Sequence, residues 1–172
     1  MRAPGSPRIR VLVAEDEQDI LEDYMLALGS HAARHSAESA KLDALESDLF
    51  GDTEAAAQGG PREASFDVVT AMQGLDALDE HDHALRADRP FDIALIDVRM
   101  PPGIDGVETA TRLRKADPRI LIGIVTGQAD LEFEEIARRV MPKERIFFIR
   151  KPFLRDEIRT AVLDRLLGFS ES

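Results

Sequence analysis

The chain has 172 residues, of which 44% are hydrophobic, and its 33 acidic and 22 basic residues give a formal net charge of -11. This charge disfavours nonspecific nucleic-acid binding, which depends on clustered Lys and Arg. The absence of Cys excludes disulfides and thiolate metal sites. No apolar run approaches the roughly 20 residues that span a bilayer, and residues 1–10 lack the apolar core of a signal peptide. A cytoplasmic protein with one full core is the simplest interpretation.

Hydrophobic patterning predicts five strand-then-helix units. Strands are predicted over residues 9–14, 66–71, 93–97, 121–126 and 146–150, and helices over residues 19–30, 74–85, 106–116, 131–140 and 154–167. Asp19 is expected to cap the first helix, while Leu75 and Leu154 are expected on inward stripes of their helices. Residues 1–8 are interpreted as a flexible lead, 9–168 as one domain and 169–172 as a tail.

A long connection separates the first helix from the second strand. Residues 30–65 form a stretch of 36 residues where a short loop is expected. Within it, Leu42, Leu45, Leu49 and Phe50 have helical spacing, which predicts an extra helix over residues 39–50. This insertion, at about residues 31–65, is either decorative or a docking or dimerising element, because an amphipathic helix must bury its apolar stripe.

Polar residues end four of the predicted strands. Glu15 and Asp16 follow the first strand, and Asp97, Thr126 and Lys151 stand at or after the ends of the third, fourth and fifth strands. Parallel strands end at the same edge of a sheet, where ligands bind in open α/β folds. We therefore expect these five side chains to meet.

These five polar residues and their order along the chain resemble the receiver domain of two-component response regulators, in particular the receivers of hybrid histidine kinases. The resemblance implies a flavodoxin-like (βα)5 fold, an α/β doubly wound parallel sheet in the order 2-1-3-4-5, with the extra helical insertion after helix 1. It also implies a phosphoacceptor module that catalyses only its own phosphorylation and dephosphorylation. Its partner would be a histidine kinase or a histidine phosphotransfer domain. A homodimer is possible, and neither direct DNA binding nor membrane insertion is expected.

The resemblance also implies a role for each site residue. Asp97 would accept the phosphoryl group, and Mg²⁺ would bind Glu15, Asp16, Asp97 and the backbone carbonyl of Arg99. Thr126 and Lys151 would contact the phosphoryl group. Phe148 would be the switch aromatic on the helix 4–strand 5–helix 5 face, and the Lys151–Pro152 peptide bond is a cis candidate.

Some features depart from this pattern or leave other functions open. The loop at residues 100–106 is one residue longer than is usual, and Arg99 lies two residues after the acceptor. One alternative is a degenerate receiver that serves as a binding or dimerisation module. A Mg²⁺-dependent phosphatase with an Asp nucleophile is another, although Arg99 stands where such enzymes have a second Asp.

Weaker signals are the histidines and two short basic stretches. His31 and His35, and likewise His81 and His83, are expected to be solvated rather than metal-binding. Residues 112–115 and 138–139 are the places where a basic patch is possible despite the acidic composition.

Overall fold

The structure, a computed structural model, describes residues 8–29, 64–127 and 133–170. Five strands alternate with five helices in this part of the chain. The elements are β1 (Arg8–Ala14), α1 (Gln18–Leu28), β2 (Ser65–Ala71), α2 (Gly74–Arg86), β3 (Ile93–Asp97), α3 (Gly106–Ala116), β4 (Leu121–Thr126), α4 (Phe133–Arg139), β5 (Ile146–Arg150) and α5 (Arg155–Ser170). A short 3-10 turn, Lys143–Arg145, leads into β5.

The five strands form one parallel sheet in the order β2-β1-β3-β4-β5. This confirms the predicted flavodoxin-like strand order. β1 pairs with β2 on one side and with β3 on the other, so the strand order reverses beside these central strands. In such sheets the crevice at the reversal point, at the carboxyl ends of the strands, is where ligands bind.

Two hydrophobic cores cover the two faces of the sheet. Alternate residues of β1 point to opposite faces: Val11 and Val13 join the core beneath α1 and α5, and Leu12 and Ala14 join the core beneath α2, α3 and α4. All residues of β3 and β4 are buried. Burial on both faces explains why these strands are continuous apolar runs in the sequence.

Gly106 lies where α3 begins against the end of β3. Its N–H donates to the carbonyl of Val98 at 2.9 Å. A Cβ at this position would lie 2.0 Å from the carbonyl oxygen of Asp97. The connection from β3 to α3 therefore passes so close to the strand that only glycine fits.

Several local expectations were wrong. Asp19 lies in the first turn of α1, and the N-cap residue is Glu17, which makes no side-chain capping bond. Leu75 and Leu154 are 50% and 71% exposed, because Ala77 and Ala84 face the core from α2 and because Leu154 precedes α5. The predicted helix at residues 39–50, and residues 31 and 35, lie outside the described residues.

His81 also differs from expectation, since its side chain is 1% exposed and lies on the buried side of α2. Its ring lies 6.5 Å from that of Phe91, nearly parallel to it, and its Nε2 has no hydrogen-bond partner. Burial lowers the pKa of His81 because it disfavours the cation, although Asp117 and Asp82 act in the opposite direction. The neutral imidazole is therefore the form that the fold accommodates.

Gly106→Ala is expected to destabilise the fold by about 2 kcal/mol, because the added methyl group meets backbone that cannot move without shifting β3. Urea unfolding followed by circular dichroism measures the change. Gly168→Ala is the matched control: a Cβ added at Gly168 in α5 would have no atom within 4 Å apart from its chain neighbours and the backbone of its own helix, and alanine should stabilise that helix. An unchanged free energy of unfolding for Gly106→Ala would contradict the close approach.

His81→Gln is expected to reduce the loss of folding stability that the wild-type protein shows as the pH falls below neutral. Because the folded-state pKa of His81 lies below the unfolded value, the unfolded chain binds more protons, and stability falls as the pH drops through the unfolded pKa of roughly 6.5. Thermal unfolding of wild type and variant between neutral and mildly acidic pH measures this difference. The control is His83→Gln, since His83 is exposed. Parallel profiles for wild type and His81→Gln would refute the assignment.

Candidate functional site

The carboxyl edge of the sheet brings together the five polar residues predicted from the sequence. Glu15 and Asp16 follow β1, Asp97 ends β3, Thr126 ends β4 and Lys151 follows β5. The register aligns these ends, with Ala14 opposite Ile96 and Thr126 opposite Arg150. Two backbone hydrogen bonds extend the alignment beyond the strands: Glu15 N–H donates to the carbonyl of Ala71 at 3.0 Å, and Lys151 N–H to that of Thr126 at 2.8 Å.

Three carboxylates form the centre of the site. One oxygen from each of Glu15, Asp16 and Asp97 lies within 4.8 Å of the others. Glu15 is fully buried, Asp97 is 6% exposed and Asp16 is partly exposed. Glu15 and Asp97 thus form the buried part of the cluster, and Asp16 forms the part that solvent reaches.

Lys151 is the cation of the cluster. Its Nζ donates to Glu15 Oε2 at 2.6 Å and lies 3.3 Å from Asp97 Oδ1. Its side chain is only 15% exposed. One ammonium group therefore neutralises part of the charge of two buried carboxylates that come from different strands.

The electrostatics of the cluster follow from this burial. Burial raises the pKa of Glu15, and the charge of Asp97 adds to the rise, while the hydrogen bond from Lys151 opposes it. Burial likewise raises the pKa of Asp97, with Lys151 as the main opposing influence. Burial alone would lower the pKa of Lys151, but its hydrogen bond to Glu15 and the charge of Asp97 together raise it.

The donor set of this site fits a hard divalent cation. Three carboxylates and one ammonium leave an excess of two negative charges. All the candidate ligand atoms are oxygens, which Mg²⁺ prefers, and Mg²⁺ needs few protein ligands because it retains water. The chemistry and the spacing of the side chains are thus compatible with the predicted metal.

Tyr24 is a buried residue of α1 on which the charges of the cluster act, and the sequence analysis did not single it out. It is 1% exposed, and its ring centroid lies 5.2 Å from that of Phe153. Burial raises the pKa of Tyr24 well above its ordinary value, and the negative charges of Glu15 and Asp97 raise it further. Since the chain has one Tyr and no Trp, the tyrosine fluorescence of the protein comes from this residue alone.

Gln73 is a second residue that the sequence did not single out for the site. At the N-cap of α2, its Nε2 donates to the carbonyl of Pro101 at 3.1 Å. A Cβ at Gly103 would lie 2.9 Å from Gln73 Oε1. Gln73 therefore packs against the lengthened loop after β3, which carries Arg99. No sequence pattern could have revealed this contact, because it joins residues 28 positions apart.

Thr126 and Phe148 lie on the β4–β5 side of the site. Thr126 is 2% exposed. Phe148 is partly buried, packs against the core beneath α2, α3 and α4, and lies 4.6 Å from the ring of Phe133 in α4. The Lys151–Pro152 peptide bond, which follows, is cis. Arg99 is exposed.

No helix in residues 8–29, 64–127 or 133–170 has the length and apolar character needed to cross a membrane.

Comparison with solved structures agrees with this fold. A CheY-like response regulator receiver domain protein from Methanospirillum hungatei JF-1 superposes with a TM-score of 0.63 at 17% identity, covering 96% of this chain and 98% of that one. The receiver domain of the Francisella response regulator 1452 superposes with a TM-score of 0.59 at 19% identity, covering 94% and 99%.

Sequence comparison identifies the family. Sporulation initiation phosphotransferase F of Bacillus subtilis is 32% identical over 97 residues, which are 56% of this chain and 71% of that protein. The family model for the response regulator receiver domain matches residues 58–163, more than half of the chain. This match begins after β1 and therefore does not include Glu15 and Asp16. The chain belongs to the family of response regulator receiver domains of two-component signalling.

Proposed function

We propose that the protein accepts a phosphoryl group on Asp97 from a phosphohistidine donor, in a Mg²⁺-dependent reaction. The observation that carries this proposal is the cluster of Glu15, Asp16 and Asp97 around Lys151 at the carboxyl edge of the sheet. Three carboxylates and one partly buried ammonium group match the needs of phosphoryl transfer, in which catalysis is mainly positioning and charge neutralisation.

In the proposed reaction a carboxylate oxygen of Asp97 attacks the phosphorus of the donor. The new O–P bond forms as the P–N bond to the imidazole breaks, and the imidazole leaves with the bonding electrons. The product is an aspartyl phosphate, as in other carboxylate nucleophile chemistry. Asp97 suits this role because its carboxylate lies within 4.8 Å of the partly exposed Asp16 and stands at the end of a buried strand.

Glu15, Asp16, Asp97 and the backbone carbonyl of Arg99 would hold the Mg²⁺. When bound, the ion supplies positive charge that offsets the negative charge on the transferring oxygens. Two hydrogen bonds hold the Glu15 carboxylate in place. Lys151 Nζ donates to its Oε2, and the N–H of Glu17 donates to its Oε1 at 3.3 Å. These bonds orient the buried carboxylate before any cation binds.

Lys151 and Thr126 would bind the phosphoryl oxygens from the side of β4 and β5. The Lys151 ammonium already contacts Asp97 at 3.3 Å, so it is positioned to follow charge transferred onto that side chain. The Thr126 hydroxyl would donate a hydrogen bond to the new phosphoryl group. As Thr126 moves, Phe148 would turn inward and change the surface of α4, β5 and α5.

The proposed partner is a histidine kinase or a histidine phosphotransfer domain. The similarity to a protein named a phosphotransferase supports a place in a relay that passes phosphoryl groups onward. We further propose a cytoplasmic location and an output through protein contacts, with homodimerisation as one form of that output.

Mg²⁺ titration is expected to change the fluorescence of Tyr24, because the cation alters the electrostatic field that Glu15 and Asp97 exert on its side chain. Asp16→Asn should weaken the apparent affinity at least about tenfold, since it removes a ligand from a site with few protein ligands. Glu17→Gln is the control, because Glu17 is exposed and lies outside the cluster. Equal affinities for both variants would contradict the assigned ligands.

Incubation with acetyl phosphate and Mg²⁺ is expected to add one phosphoryl group, detected by intact mass. Asp97→Asn should abolish the gain because the amide is not a nucleophile, and chelation of Mg²⁺ should abolish it in wild type.

Asp79→Asn serves as the matched control for that experiment, since Asp79 is an exposed residue of α2. A mass gain that persists in Asp97→Asn would overturn the choice of acceptor. If wild type shows no gain, a beryllofluoride titration followed by NMR tests the site without a phosphodonor. Failure to bind beryllofluoride would leave only the degenerate, protein-binding receiver.

A further inference from the structure

Two basic stretches that are distant in sequence meet at the amino edge of the sheet. Residues 112–119 and 138–145 contain eight of the chain's 22 basic residues and two acidic ones, a local charge of +6 in a chain of net charge -11. The first stretch ends α3 and leads into β4, and the second ends α4 and leads into β5. Because helices run back along parallel strands, both stretches lie at the edge opposite Asp97.

Hydrogen bonds join the two stretches directly. Arg114, which is 7% exposed, donates from Nη2 to the carbonyl of Arg145 at 2.8 Å and from Nη1 to the carbonyl of Ile120 at 2.5 Å. Arg145 in turn donates from Nη1 to the carbonyl of Arg119 at 2.6 Å. These bonds use backbone oxygens as acceptors, so they fix the geometry of the edge without neutralising its charge.

Four cations on this edge make no ion pair with the described part of the chain. They are Lys115, Arg119, Arg138 and Lys143, all exposed. Elsewhere in the described residues some exposed cations have such partners, as Arg86 does with Asp82 at 2.7 Å, whereas Arg8, Arg150 and Arg165 have none. The four cations of this edge differ from those three because they belong to two stretches that hydrogen bonds join. We call the four cations, together with Met141, the basic edge.

Met141 gives the basic edge an apolar contact point. Its side chain is 55% exposed and lies in the connection between α4 and the 3-10 turn. Arg138 precedes it by three residues and Lys143 follows by two. A partner with carboxylates beside an apolar side chain would therefore match both the charge and the surface.

We propose that the basic edge docks a short Asp- and Glu-rich segment of a partner protein. Charge complementarity favours this partner over nucleic acid. The two basic stretches account for +6, so the rest of the chain carries a formal charge of -17. A duplex, with a charge about every 1.7 Å along its axis, would extend past the basic edge over this acidic remainder, whereas a short peptide would not.

The test is fluorescence anisotropy of the full chain with a labelled short peptide of Asp and Glu containing one Leu. Binding should weaken as salt rises, because exposed charges are screened. Lys143→Glu and Arg138→Glu should each weaken binding about fivefold. Arg155→Glu is the matched control, since it changes the net charge equally at the start of α5, on the opposite edge of the sheet, and it should leave binding unchanged. Thermal unfolding checks that all variants are folded.

A labelled oligothymidylate of equal length provides the competing result. Tighter binding of the oligonucleotide than of the peptide would overturn the proposal, as would equal losses in Arg155→Glu and Lys143→Glu. Deletion of residues 37–60, which include several carboxylates of this chain, is the third arm. If deletion greatly strengthens peptide binding, the occupant is the chain's own segment, and the proposed partner is wrong. Acetyl phosphate labelling of Lys143→Glu should match wild type, which separates this proposal from the function of Asp97.

Discussion

The concentration of negative charge at the carboxyl edge of the sheet is the constraint on which the site depends. Glu15 and Asp97 are both buried, and each would be costly to ionise without a compensating charge. Lys151 provides that charge from a third strand, through its bonds to both carboxylates. Their mutual contacts therefore tie the ends of β1, β3 and β5 together. The same contacts leave a residual negative charge that a divalent cation can neutralise.

The topology of the sheet places the site next to the strands through which a charge at Asp97 would change the protein surface. β4 lies between β3 and β5, so Thr126 stands between the proposed acceptor and the strand that carries Phe148. Phe148 packs against both the core beneath α2, α3 and α4 and the ring of Phe133 in α4. Under the proposed function, a change of charge at Asp97 would reach the surface through two neighbouring strands and one aromatic pair. The effect of the charge at Asp97 would not need to pass through the rest of the core.

The two edges of the sheet have opposite electrostatic character. Carboxylates cluster at the carboxyl edge, whereas the ends of α3 and α4 gather cations at the amino edge. This separation allows the proposed phosphoryl chemistry and the proposed peptide docking to occupy different surfaces. It also explains how an acidic chain can present a basic surface, since the total charge does not describe its distribution.

The sequence by itself determined the strands and the five polar residues at their ends, and its resemblance to receiver domains implied the strand order. Buried parallel strands are short apolar runs, and the residue that ends each run is visible without coordinates, as at Asp97 and Thr126. The tertiary structure alone decided which side chains touch. The bond between Lys151 and Glu15 spans 136 positions, and the contact of Gln73 with Pro101 follows no local pattern. His81 was misjudged for the same reason: helical spacing shows which residues share a face, but only the packing of α2 against its neighbours decides which face is buried.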